Sequence, residues 1–234
     1  MNELALGGTG WGGQIADGAL LTIELAFATL PFGFALGLGL AFLKDSSHWF
    51  LRAAGEAYTT VFRGLPELMT LLLIYYGTEM ALHALAASLG YDVDIEISPF
   101  CAGVLALGLV LGAYSSEVLS GALRAVERGQ IEAGQSLGMR PLAVFLTIQF
   151  PQLLRIALPG LGNCWLVLLK DTSLVSVIAL EELTRKTYLA AGQTKAYFLF
   201  FSVACVLYLT MTILSGAGLV GLERYLDRGW RAGR

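Results

Sequence analysis

Charge is what this chain has least of. Only 14% of its 234 residues are Asp, Glu, Lys or Arg, against about a quarter in a soluble globular domain. Hydrophobic residues make up 56%, and the mean hydropathy is +0.68. These values exclude an ordinary soluble domain and point to an integral membrane protein. Cysteine is scarce too. Cys101, Cys164 and Cys205 stand singly in apolar runs, with no CxxC pair and no Cys/His cluster. Neither zinc nor a disulfide framework is indicated, and the three thiols are expected to be small buried hydrophobes. The two histidines, His48 and His83, lie far apart near segment ends, so no Ser/His/Asp arrangement is credible. A net charge of −3 offers no basic surface for nucleic acid. The chain has no G-x4-G-K-[ST] stretch and no Gly-Lys pair, which excludes a P-loop for ATP. Residues 1–13 carry no Lys or Arg, so the basic n-region of a signal peptide is not expected.

What the chain has instead is long apolar segments. They run from about Gln14 to Leu43, Val61 to Leu85, Ser98 to Leu123, Leu153 to Leu180 and Ala196 to Leu222. Each reaches the ~20 residues needed to cross the hydrocarbon core. Backbone groups cannot be left unpaired in lipid, so the expected fold is all-α. The reading is a single membrane domain over 1–234 with five transmembrane helices. Five crossings put the termini on opposite sides. Eleven of the fifteen Lys and Arg fall on the side of the 44–63 connection, the 124–155 loop and the tail. Arg185, Lys186 and Lys195 fall on the other. The positive-inside rule then predicts the N-terminus outside, and the tail and the loop at about 124–152 in the cytoplasm.

That loop holds the most specific pattern. Pro141 and Pro151 predict two short helices at an angle, 131–140 and 141–150. Ile131, Gly134 and Gly138 would share a face. Two glycines there cost about 1 kcal/mol each relative to Ala, which implies that something approaches the backbone closely. The spacing is Glu132-Ala133-Gly134, three residues, Gly138, nine residues, Ile148, one residue, then Phe150-Pro151. It resembles the loop of binding-protein-dependent ABC importer permeases: EAA, three residues, G, nine residues, I, any residue, LP. Gly134 replaces the second alanine and Phe150 the leucine, each keeping its class. Further stretches resemble the polar-amino-acid uptake branch: Arg63-Gly64-Leu65-Pro66-Glu67, Ile74-Tyr75-Tyr76-Gly77, Gly112-Ala113-Tyr114-Ser115-Ser116-Glu117, and Lys170-Asp171-Thr172-Ser173 through Ile178. The likeness is greatest to Q-type permeases of histidine/lysine/arginine/ornithine and opine systems.

The resemblance implies a type I importer (MetI-like) permease fold in a bacterial inner membrane. It implies half of a translocation path for polar, chiefly basic, amino acids or opines. A second similar permease, different in a Q-type system, would supply the other half. Two ATP-binding subunits would carry ATP and magnesium, and a periplasmic solute-binding protein would deliver substrate. This chain would hold no cofactor and would not itself be an enzyme. Glu132, Ala133, Gly134, Gly138, Ile148 and Pro151 would couple it to the ATPase.

The intramembrane charges suggest a pathway. Glu24, Glu79, Glu117, Lys170 and Asp171 lie in or near apolar runs, where each costs on the order of 2.5–3.5 kcal/mol at a helix centre. They should face the interior, pair, or line a cavity. Lys170 is expected to meet Glu117 or a substrate carboxylate, and Glu117 a substrate amine, with hydroxyls from Ser116, Thr172 and Ser173 nearby. An ion pair that fixes helix register is the alternative. Arg63 and Glu67, four apart, would form a local pair. Tyr75, Tyr76 and Tyr114 would stack on a cation or fill the core. Gly33-x3-Gly37 and Gly108-x3-Gly112 allow close helix packing, within the chain or between copies. The rival function is a stand-alone secondary transporter or channel whose carboxylates relay protons. The loop spacing and the lack of an internal repeat stand against it.

Overall fold

The computed structural model describes residues 10–90 and 96–231. Residues 91–95 of the acidic loop and Arg234 of the tail lie outside the described residues. Helices account for nearly all of the rest: α1 (Gly12–Lys44), α2 (Trp49–Gly64), α3 (Glu67–Ser88), α4 (Pro99–Ala125), α5 (Arg128–Ser136), α6 (Pro141–Val144), α7 (Phe150–Asp171), α8 (Leu183–Thr194) and α9 (Tyr197–Arg231). Five stretches are long and apolar enough to cross a membrane: Gly12–Lys44, Glu67–Ser88, Pro99–Ala125, Pro141–Ile178 and Tyr197–Leu226.

The prolines act differently from expectation at two places. The second segment does not start at Val61. Leu65 precedes Pro66 and is held extended (φ −89°, ψ 142°), because the proline ring disfavours a helical residue before it. The chain therefore breaks at 65–66. The 44–63 connection becomes the amphipathic helix α2, and the span begins at Glu67, whose acid suits a helix N-terminus. Conversely, 141–150 is not a separate short helix. α6 runs through a π-turn at Phe145–Gln149 into α7 without a break. Pro151 is the second residue of α7. The wider i→i+5 turn ahead of it, in which the Phe150 N–H reaches the Phe145 carbonyl, relieves the clash a proline ring makes with the preceding turn.

Helix α4 is the centre of the bundle. It packs along α1 through the predicted small residues, and within one chain. A Cβ on Gly33 would strike Leu111, on Gly37 Ser115, on Gly108 Phe32 and on Gly112 Leu36. Leu25, Leu71, Ala106, Leu111, Leu169 and Val175 form a buried core shared by α1, α3, α4, α7 and the 3-10 turn Thr172–Ile178. A second cluster, around Ile15, Leu183, Ala191 and Phe200, holds α8 against α1 and α9. The polar stretch 181–195 between the last two spans is thus mostly helix. Cys164 is half-buried, but Cys101 and Cys205 are exposed. In a membrane chain an apolar run marks contact with lipid as readily as burial in protein.

Candidate functional site

One cavity of about 270 Å³ lies between α3, α4 and α7. Its walls follow helical spacing. Leu107, Val110, Leu111 and Tyr114 come from α4, and Asn163, Cys164, Val167, Leu168 and Asp171 from α7. These are i, i+3, i+4 and i+7, i+8 positions, which stack on one helix face. Glu67 enters from the first turn of α3 because the Leu65-Pro66 break starts the helix there. The lining is apolar apart from two carboxylates, one carboxamide and one phenol. Tyr114 donates its hydroxyl to Glu67 Oε1 at 3.4 Å. Among the described residues its lining holds two acids and no cation, which makes the cavity attractive to positive charge.

Of the expected pathway residues, Glu67, Tyr114 and Asp171 meet here, whereas Arg63, Glu117, Lys170 and Ser173 lie outside the lining. Ser173 is half-buried in the turn that follows α7, and Lys170 is exposed. The expected Lys170–Glu117 pair is replaced. Lys44, at the end of α1, reaches Glu117 Oε1 at 2.7 Å and Ser116 Oγ at 3.1 Å. Arg63 reaches the same Glu117 oxygen at 3.2 Å, so the local Arg63–Glu67 pair is replaced as well. The helix break at 65–66 separates Arg63 from Glu67 in direction. Arg63 instead lies over the Tyr114 ring, 5.6 Å from its centroid. Lys44 is only 5% exposed. By sequence it counts only among the charges that set topology, although a lysine ending an apolar run with an acid in another run is a pairing signal. Asn163 and Cys164 were also missed. The 163–167–171 spacing was the signal that pointed to them.

The second region is the 131–151 loop. α5 ends at Ser136, so Gly138 is not on its face. Gly138 takes the left-handed conformation (φ +77°). Its N–H bonds the Gln135 carbonyl, and the Met139 N–H bonds the Gly134 carbonyl. This is the Schellman ending, whose C′ residue is usually glycine. Gly134 is buried for another reason. A Cβ there would lie 2.8 Å from Ile148 Cδ1 and 3.3 Å from Val144 Cγ2. The close approach inferred from the glycines therefore comes, at Gly134, from the chain's own helix. Gln152 Nε2 adds a 2.6 Å bond to Gln130 Oε1. The folded-back loop leaves Glu132, Ala133, Gly138 and Pro151 exposed, and Ile148 half-buried. Leu137 (83% exposed) and Leu142 (69%) are bare apolar side chains of the same loop.

A third polar cluster joins α1, α8 and α9. Glu182 is fully buried and caps α8. It accepts from the Thr184 and Arg185 backbone N–H groups, both at 2.9 Å, from Tyr208 at 3.0 Å and from Thr22 at 3.3 Å. Burial pushes its carboxyl above the ordinary range, and these donors pull the other way. The neighbouring Glu181 is exposed and held below its ordinary range by Lys186.

Known proteins resemble this chain over nearly its whole length. Residues 30–231 match the family described as binding-protein-dependent transport system inner membrane component. The nopaline transport system permease protein of Agrobacterium fabrum is 42% identical, over 98% of either chain. The histidine/lysine/arginine/ornithine transport system permease protein of Salmonella typhimurium is 41% identical, over 94% of this chain and 96% of its own. Among solved structures, the crystal structure of an amino acid ABC transporter with histidines aligns with a TM-score of 0.76 at 32% identity, covering 92% of this chain and 95% of that one. The methionine ABC transporter in inward-facing conformations shares the fold, with a TM-score of 0.71 at 16% identity over 91% of this chain and 95% of that one. These likenesses give no support to a stand-alone secondary transporter. The chain belongs to the binding-protein-dependent transport system inner membrane components, and is a permease subunit of an ABC importer seated in the inner membrane.

Proposed function

We propose that this subunit forms half of the path for cationic amino acids or opines. The observation that carries the substrate class is the cavity, where Glu67, Asp171, Tyr114 and Asn163 converge within apolar walls. An ammonium or guanidinium group is the natural occupant of two carboxylates beside an aromatic face. Two relatives named for arginine and for histidine, lysine, arginine and ornithine support the same class.

In this reading the single domain 1–234 has its N-terminus outside and its tail in the cytoplasm, as the Lys/Arg bias favours. Two ATP-binding subunits, which hold ATP and magnesium, dock below on the 124–152 loop. Glu132 offers them a charged contact, and Ala133, Leu137 and Leu142 an apolar one. Gly134, Gly138, Ile148 and Pro151 give that surface its shape. A second permease chain, different from this one as in Q-type systems, completes the path. A periplasmic solute-binding protein loads it from outside. Closure of the ATP-bound pair moves the loop, and the cavity alternates its access. Ligand shifts that equilibrium only through unequal affinity for the two states.

Co-purification tests the coupling reading. The tagged chain should retain an ATPase subunit in detergent. Glu132→Ala should lower arginine uptake on the order of tenfold, as expected for one lost charge-assisted contact. A chain that never retains an ATPase, with uptake untouched by Glu132→Ala, would overturn it.

A further inference from the structure

Arg63 lies against Tyr114, one wall of the acidic cavity, yet it is paired outside the lining. It sits four residues from Glu67, and both touch Tyr114. The guanidinium lies over that ring, and Glu67 holds its hydroxyl. What turns Arg63 away is Glu117, which takes it at 3.2 Å. Glu117 in turn is held by buried Lys44 at 2.7 Å, and Lys44 is steadied by Ser116. Glu117 is one helical turn from Tyr114 on α4 and outside the cavity lining.

We infer that Glu117 is a positioning residue for substrate charge: it holds Arg63 off Glu67 and so keeps the cavity acidic. The inference rests on the cationic-substrate reading above and adds to it a mechanism for selectivity. Without the Glu117 charge, the carboxylate that shares Tyr114 with Arg63 is Glu67. Arg63 would then swing across Tyr114 and occupy the place of the substrate's own cation. The tethered guanidinium would compete with a cationic ligand and leave a zwitterion almost unaffected. Lys44 plays a different part. Its removal leaves Glu117 to Arg63 alone, which keeps Arg63 where it is. A plain structural ion-pair cluster makes the opposite forecast, with loss of Lys44, the buried member, doing the greater harm.

The test is calorimetric binding of L-arginine and L-glutamine to the purified permease–ATPase complex. Omitting the solute-binding protein ensures that selectivity is read from the cavity alone. Glu117→Gln should weaken arginine binding by about tenfold or more, and glutamine binding by less than about threefold. Adding Arg63→Gln to it should bring arginine back to within about threefold of the parent. Lys44→Met should retain the arginine preference. Glu117→Asp keeps a charge beside Lys44 but withdraws it by one methylene. It should give an intermediate loss, and it stands in should Glu117→Gln not assemble. The inference is overturned if Glu117→Gln binds arginine like the parent, if the double variant stays as weak as the single, or if Lys44→Met loses the preference. Glu67→Gln and Asp171→Asn test the underlying reading separately. If neither weakens arginine binding, the cavity is not the cation site, whatever Glu117 does.

Discussion

Glu117 and Glu182 are two acids set beside apolar segments, and the protein accommodates them by opposite means. Glu117 is about half exposed and is met by two cations from other helices, Lys44 and Arg63. Glu182 is fully buried and bonds to neutral donors: two amides of the first turn of α8, Tyr208 and Thr22. The difference lies in what each can change. Arg63 hangs on a long flexible stem and shares Tyr114 with a second carboxylate, Glu67, so its partnership is open to exchange. The amides around Glu182 belong to a helix end and are fixed by the backbone. One acid is suited to adjusting charge in a pathway. The other is suited to anchoring α8 to α1 and α9.

That contrast breaks most visibly at the anchor. Glu182→Ala strands two amides and two hydroxyls in a buried place. A loss of about 3 kcal/mol is expected, combining a lost cap with unsatisfied donors. Thermal unfolding of the purified complex measures it, and an unchanged midpoint would remove Glu182 from its anchoring role. A smaller effect appears with pH. The folded chain holds the Glu182 proton more tightly than the unfolded chain does, because burial raises its pKa. The stability this site contributes is therefore full below the ordinary carboxylate pKa and is lost as pH rises through the raised one. The midpoint of the parent relative to Glu182→Gln should fall across that interval. A flat difference would mean that the buried site does not titrate apart from the unfolded chain. The smallest effect belongs to Glu181→Gln. This acid is exposed and pairs with Lys186 on the surface, where such pairs contribute little. No measurable shift is expected, and a large one would show that the anchor extends beyond Glu182.

How much was legible follows from the range of each cause. The five spans were readable because apolar length alone decides whether a helix can cross the membrane. The loop was readable because its spacing is local, from Glu132 to Pro151. Helix α2 is not legible as a span, because its apolar cluster Trp49-Phe50-Leu51 is followed by Arg52 and Glu56 and gives no long apolar run. The start of α3 was misplaced by six residues, although Pro66 was the available signal. The partners of Glu117 were out of reach. Lys44 lies 73 residues away, and nothing in either segment says which acid a buried lysine will meet. Gly134 shows the same limit in a short stretch. Its need for a small residue was visible, but not that Ile148 of its own chain imposes the need.

The sequence by itself determined that this is a helical membrane subunit with a patterned loop and without a P-loop. Hydrocarbon tolerates only internally bonded backbone, and the loop pattern depends on neighbours in the chain. Only the tertiary structure decided which charges share a space. Glu67, Tyr114 and Asp171 come from three helices, and Lys44, Arg63 and Glu117 from three. Electrostatic partnership depends on distance in space, and that distance is set by how the small-residue seam lets α1 close onto α4 and by where Pro66 stops α2.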